Sequence, residues 1–338
     1  MSNRNAFRVA CALLAIPAIL HAAAPAAAQA PDQILDEVVV SGEQPGPAMW
    51  KVSRDGHTMW IMGTLSPVPA RMSWHSRQAE AIIGQAGEIL GDPQLRGRVD
   101  IGLFGALRLI PAALRARDNP DGATLHEALP PAVWQRWNAA YRRFFGRDAD
   151  MKDKSRPLFA ADRLYDQALE KSALTPSSPV WPTVQKLARQ HKVRIREREF
   201  DVPLRDPRGL IEALAHIPRE REVACLVATL DYIDQELPNI RRRATAWATG
   251  DLATLRALPA VVDRRSCLDA LVEALRARLG EQITQVRSQI DDDRAGIFSW
   301  MLLTYDTSFT VMPIERLLRE DDLVARWRAA GYTVEEPR

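Results

Sequence analysis

Two hydroxyl side chains, Thr64 and Ser66, follow a glycine at the end of the apolar run Met59-Trp60-Ile61-Met62-Gly63. A glycine there lets the backbone turn sharply and presents the next polar side chains at the carboxyl edge of a strand, where α/β sheets carry their chemistry. A serine in that place could act as a nucleophile. The surrounding pattern argues against it, because there is no Gly-x-Ser-x-Gly elbow and Pro67 removes the backbone donor that would follow the nucleophile. Metal chemistry would need clustered ligands. Beyond residue 30 the histidines are His57, His75, His126, His191 and His216, with no His-Glu-x-x-His, no Cys-x-x-Cys and no two histidines at i and i+4. Each reads as a surface or packing histidine. The triplet Asp291-Asp292-Asp293 lacks the glycine and later glutamate of a calcium loop and reads as a helix terminus in water. Aromatic residues interleaved with Arg136, Arg142 and Arg143 over 131–145 have helical spacing, which predicts a core face bordered by a solvated one rather than a sugar or base platform.

The elements that must position Thr64 and Ser66 begin with a hairpin. Residues 49–53 and 58–62 flank Asp55-Gly56, the dipeptide suited to a type I′ turn. A helix is predicted over 73–86 with Ser73 as its N-cap, then a short strand over 88–90 ending at Gly91-Asp92-Pro93. Residues 99–149 are helical in character, as are 156–174 and 183–191, and 193–197 alternates like a half-buried strand. Helices follow over 207–215, 220–236, 240–258, 268–289 and 297–303, and within 240–258 Gly250 suits the end of one helix and Asp251 the cap of the next. A strand over 308–314, a helix over 323–330 and a strand over 331–335 close the chain.

With 338 residues and 46% hydrophobic content the chain can bury a full core. Residues 1–30 read as a Sec-type signal peptide, with Arg4 and Arg8 ahead of an apolar run over 9–20 and Ala26-Ala27-Ala28 as the preferred cleavage site. Pro17 and His21 break that run, and no other apolar stretch approaches the length of a membrane span. Export to the periplasm of a Gram-negative cell follows, with 31–47 as a flexible leader. Of 45 basic and 43 acidic residues, removal of Arg4 and Arg8 leaves 43 of each, a balance that suggests no nucleic-acid partner. Two cysteines remain, Cys225 and Cys267, and an even count in an oxidising compartment favours a disulfide between them.

Trp50-Lys51-Val52, the Asp-Gly turn, Trp60-Ile61-Met62-Gly63-Thr64, Pro69 and Trp74 together resemble the opening of the TraB/GumN family, relatives of the Tiki metalloproteases. The run Arg243-Ala244-Thr245-Ala246-Trp247-Ala248-Thr249-Gly250-Asp251 and the closing helix and Gly-Tyr-x-Val strand resemble it too. The resemblance covers about 50–335 as a single domain over 48–338, and implies a helix-rich α/β fold. Its small mixed central sheet is built from the N-terminal hairpin and strands near Leu90, Val193, Val311 and Val334, surrounded by many helices. The family carries two Gly-x-x-His motifs and a glutamate at a strand end. This chain has Ser66 in place of the first histidine, Gly91 at the glutamate position, and Pro313 and Arg316 where the second glycine and histidine would stand. A hydroxyl is a poor ligand for a divalent transition metal, and an arginine cannot ligate. The expectation is a degenerate metalloprotease-type site in a binding or accessory protein whose partner is a small molecule, peptide or protein. Thr64, Ser66 and Arg316 would hold an anionic ligand such as a carboxylate, with no cofactor. The competing expectation is an active metal-dependent hydrolase, a peptidase or esterase using Mn, Co or Zn, with Asp92 and Glu315 as replacement ligands.

Overall fold

The structure is a computed structural model, and it describes residues 46–91, 94–98, 103–197, 199–203, 206–259, 264–279, 281–319 and 323–337. The predicted signal peptide, most of the predicted leader and Asp92 lie outside these residues. A mixed sheet of six strands organises the rest: β1 (Met49–Arg54), β2 (His57–Thr64), β3 (Glu88–Leu90), β4 (Arg194–Arg196), β5 (Thr307–Pro313) and β6 (Thr333–Glu335), in the order β6-β1-β2-β5-β3-β4. The β1-β2 hairpin turns through Asp55 and Gly56 at φ 51° and 88°, both positive as a type I′ turn requires, and pairs Arg54 with His57. β6 adds antiparallel to β1, whereas β2, β5, β3 and β4 are parallel neighbours.

Burial follows from that topology. Trp50 and Val52 of β1 point inward, while the central strand β5 is buried through Ser308 to Met312, as a parallel strand covered on both faces must be. Glu88, at the start of β3, is fully buried and is held by Arg196 at 2.8 Å and Arg194 at 3.4 Å from the neighbouring strand. A second core is built mostly from helices and includes Leu125, Trp137, Leu164, Leu226 and Ile233. The helix Ile240–Ala248 spans both cores: Ile240 belongs to the helical one, Ala244 and Trp247 to the one around the sheet. Cys225 and Cys267 are bonded, with Cα atoms 4.4 Å apart, and tie the helix Arg219–Asp231 to the helix Arg265–Leu279.

The structure departs from the sequence-based expectations in several places. The first helix is Arg77–Ile83, with Ser76 rather than Ser73 at the N-cap position and no side-chain capping hydrogen bond. The stretch 240–258, by contrast, is two helices as expected, with Gly250 at φ 71° between them and Asp251 capping the second by accepting from Thr254 N at 2.8 Å. The helix expected over 220–236 is α-helical only over Arg219–Asp231, then widens into a π turn over Tyr232–Glu236 ahead of Pro238. The acidic triplet lies inside the helix Glu281–Thr304, not at a terminus. A parallel pair formed by Gln94–Arg98 and Glu199–Pro203 was not expected.

Candidate functional site

The parallel register of β2 and β5 sets Gly63 beside Met312 and Thr64 beside Pro313, so the stretches that leave these strands emerge at one sheet edge. Close packing explains Gly63. A Cβ at that position would lie 2.9 Å from the side chain of Ile314, the residue after β5. The Gly63 carbonyl accepts from Trp247 Nε1 at 2.8 Å, so the Ala-Trp-Ala helix is fastened over the strand end. At the end of β3, Gly91 donates its N–H to Arg196 O at 3.0 Å. A Cβ on Gly91 would meet Glu197 Cγ at 3.1 Å and the Trp181 ring at 3.3 Å. The expected glutamate position is therefore tightly packed, and a side chain there needs its neighbours to give by a few tenths of an ångström.

Where β2 and β5 end, a cavity of ≈ 260 Å³ opens between the two cores. Leu65, Ser66 and Pro67 come from the segment after β2, and Glu315 from the turn after β5. Ile240 and Arg243 come from the bridging helix, and Tyr165, Tyr232, Glu236 and Arg264 from the helical layer. The π turn contributes directly. Tyr232 and Glu236 are its first and last residues, and the Leu237 N–H reaches back to Tyr232 O, five residues earlier. Pro238 has no N–H with which to continue a regular ladder.

Arg243 is buried and committed. It donates to both oxygens of buried Glu236, at 3.0 and 3.3 Å, and to Pro259 O at 3.0 Å. Arg264 is less fully used: its Nε donates to Thr229 Oγ1 at 2.9 Å, its guanidinium covers the Tyr165 ring at 4.0 Å, and the exposed Asp162 lies 3.7 Å away. Burial pushes the Arg264 guanidinium down from its ordinary value, yet an arginine starts so far above neutrality that it stays a cation. Burial also pushes the Glu315 carboxyl up, and Glu236 adds to this while Arg243 and Arg319 oppose it. The Tyr232 hydroxyl is buried with no partner within hydrogen-bonding distance, although the Tyr165 hydroxyl interacts with it from farther off, and burial raises it strongly, so it stays a neutral donor. Ser66 Oγ donates to Pro176 O. A guanidinium whose ion-pair partner Asp162 lies outside the cavity walls, a buried hydroxyl and a carboxyl shifted toward its neutral form can together hold a small anion.

Of the residues singled out in the sequence, Ser66 and Glu315 line this cavity. Thr64 and Arg316 are half-buried and Pro313 exposed, and none of the three is among its walls. The histidines stand elsewhere. His57 Nδ1 lies 3.0 Å from Tyr305 O, His216 Nδ1 2.6 Å from Glu212 O, His126 packs on Trp134, His191 faces Glu80 at 3.6 Å, and His75 is exposed. Among the described residues no three His, Cys, Asp or Glu side chains come together as a group able to hold a metal ion. Sequence reasoning missed Arg243, Arg264, Tyr165, Tyr232 and Glu236. Arg243 did carry a signal, since it shares a helical stripe with Ile240, Ala244 and Trp247, and a charge on an apolar stripe needs a buried partner. Arg264 and Tyr232 carried none, because the disulfide-tied pair of helices and the π turn place them.

No curated protein and no solved structure matches the chain. The sequence profile of the TraB/PrgY/gumN family matches residues 48–336, from just before the hairpin to just past the last strand. With the match running through both cores and every strand of the central sheet, the chain belongs to the TraB/PrgY/gumN family.

Proposed function

We propose that this family member is exported by its N-terminal signal peptide to the periplasm and acts there as a non-catalytic binding or accessory factor. Its metalloprotease-type site is degenerate, and the cavity beside β2 and β5 holds a small carboxylate ligand, free or carried by a peptide or protein. The observation that carries this reading is the donor set of the cavity: the Arg264 guanidinium and the buried, unpartnered Tyr232 hydroxyl, next to Ser66 and Glu315. The positive charge assigned to Arg316 on sequence grounds is supplied instead by Arg264, which reaches the cavity. A guanidinium in a partly dry site favours a carboxylate over its neutral amide. Butyrate, small enough for ≈ 260 Å³, is a suitable probe, with butyramide as its uncharged control. Calorimetry should show butyrate binding, butyramide failing, and Arg264→Gln weakening butyrate by about tenfold or more, the scale of one charge-assisted hydrogen bond. Equal binding of acid and amide, or an unaffected Arg264→Gln, contradicts the reading.

A second reading is an active metal-dependent hydrolase, a peptidase or esterase, with rearranged ligands for Mn, Co or Zn. What favours it is that two carboxylates, Glu236 and Glu315, line one cavity and that Glu315 is biased toward the protonated form suited to proton transfer. Turnover of peptide or ester substrates that depends on added metal and is lost in Glu315→Gln would establish it.

A further inference from the structure

The helix Leu103–Arg115 presents a large apolar face to solvent. It packs against the helix Pro207–Ala215, with Leu109 and Ala112 turned partly inward and Ala116, just past its end, buried. On another side Phe104, Leu107, Ile110 and Leu114 are 79%, 51%, 49% and 57% exposed. At about 100° per residue these four fall within one third of the helix circumference, away from the inward face, so they form one stripe rather than scattered contacts. Four exposed large apolar side chains in one stripe mark an interaction surface.

The charges beside it select the partner. From Leu103 to Arg117 the chain carries Arg108, Arg115 and Arg117 and no acidic residue. Arg108 and Arg115 project along one border of the stripe, both are exposed, and neither forms an ion pair among the described residues. A second copy of the same helix would bring these cations against one another with no acid on either element to offset them. An anionic lipid surface meets both features at once, taking apolar side chains below its headgroups and arginines among its phosphates. We propose that the helix Leu103–Arg115 is a peripheral membrane-docking element that lays Phe104, Leu107, Ile110 and Leu114 into the surface of a bilayer containing anionic phospholipid. The surface is separate from the cavity, so its failure would leave the carboxylate reading standing.

The test is co-sedimentation of the full chain with phosphatidylcholine vesicles, with and without phosphatidylglycerol. Variants differ only on this helix, so the apolar run near the N-terminus is common to all. The wild-type chain should bind the phosphatidylglycerol vesicles about tenfold more tightly than the neutral ones, and added salt should erase that preference. Leu107→Ser with Leu114→Ser should lose binding to both vesicle types. Arg108→Gln with Arg115→Gln, a milder change that keeps the apolar stripe, should lose the preference for anionic lipid alone. Wild-type and serine-variant chains binding alike would overturn the proposal. A dimer in light scattering that the serine variant dissociates would also overturn it, assigning the face to a second copy.

Discussion

Glu315 is the residue whose environment most directly couples the cavity to pH. Its carboxyl is raised above the ordinary 4.5 by burial first, with Glu236 adding and Arg243 and Arg319 opposing. A group with a raised native value keeps its proton in the folded chain over a range where the unfolded chain has released it. Its contribution to stability is therefore present below the ordinary value and declines as pH climbs from about 4.5 through the raised value. Anion binding shares that sign, because a neutral Glu315 does not repel a carboxylate and an ionised one does. Butyrate affinity should fall as pH rises through this window, and Glu315→Gln should flatten the profile. A profile unchanged by Glu315→Gln would separate Glu315 from the ligand. Tyr232 makes an opposed pair of effects. Removing a buried hydroxyl that has no partner relieves a desolvation cost of about 1–3 kcal/mol, so Tyr232→Phe should hold or raise the urea midpoint while weakening butyrate. Loss of both stability and affinity would mean that the hydroxyl serves the fold. None of this could be read from sequence, where Tyr232 is an ordinary member of a helical stretch and Arg264 lies between two of them. Glu315, by contrast, was accessible through its place beside a motif-like strand end.

At the scale of elements, the strand ends are held by the helix that crosses both cores. Trp247 donates to Gly63 O at 2.8 Å, and a phenylalanine would keep the apolar contact while leaving that buried carbonyl unpaired. Trp247→Phe should therefore cost about 1–3 kcal/mol in urea unfolding, and an unchanged midpoint would show that the carbonyl finds another partner. The hairpin was legible because Asp55-Gly56 has local turn chemistry, and β3 and β5 because short apolar runs sit beside turn residues. The π turn over Tyr232–Glu236 was not, since its hydrophobic periodicity up to Pro238 reads as uninterrupted helix. The acidic triplet misled for a related reason. Clustered like charges suggest an end, but Asp292 is exposed on a long helix and its charge is solvated there. A side chain at Gly91 would press on Glu197 Cγ and the Trp181 ring, 3.1 and 3.3 Å from a Cβ, so Gly91→Glu requires these neighbours to shift by a few tenths of an ångström.

For the whole molecule, the helical core is closed by contacts far apart in sequence. Arg156 and Glu222 form a fully buried ion pair at 2.8 Å, and the guanidinium also donates to the carbonyls of Ala116, Leu214 and Ile217, which closes the helical layer around one cation. The Cys225–Cys267 bond closes a loop of 42 residues, a constraint on the unfolded chain that contributes about 2–4 kcal/mol in small proteins. Family membership and the mixed sheet were legible because the hairpin, the Ala-Trp-Ala run and the closing strand are local patterns. The cavity was not, because it exists only where two cores meet, and its arginines come from segments 20 residues or more from either motif-like strand end. Among the described residues no helix is long and apolar enough to cross a membrane, so the lipid contact inferred above is a surface one. The sheet-edge cavity is proposed to take a small anion rather than a metal. Calorimetric titration of metal-free protein, first with manganese, cobalt and zinc and then with butyrate, separates the two. No stoichiometric heat is expected from any of the three metals, and butyrate should bind saturably and more weakly to Arg264→Gln. Stoichiometric metal binding that Glu315→Gln abolishes, with no response to butyrate, would contradict the proposal.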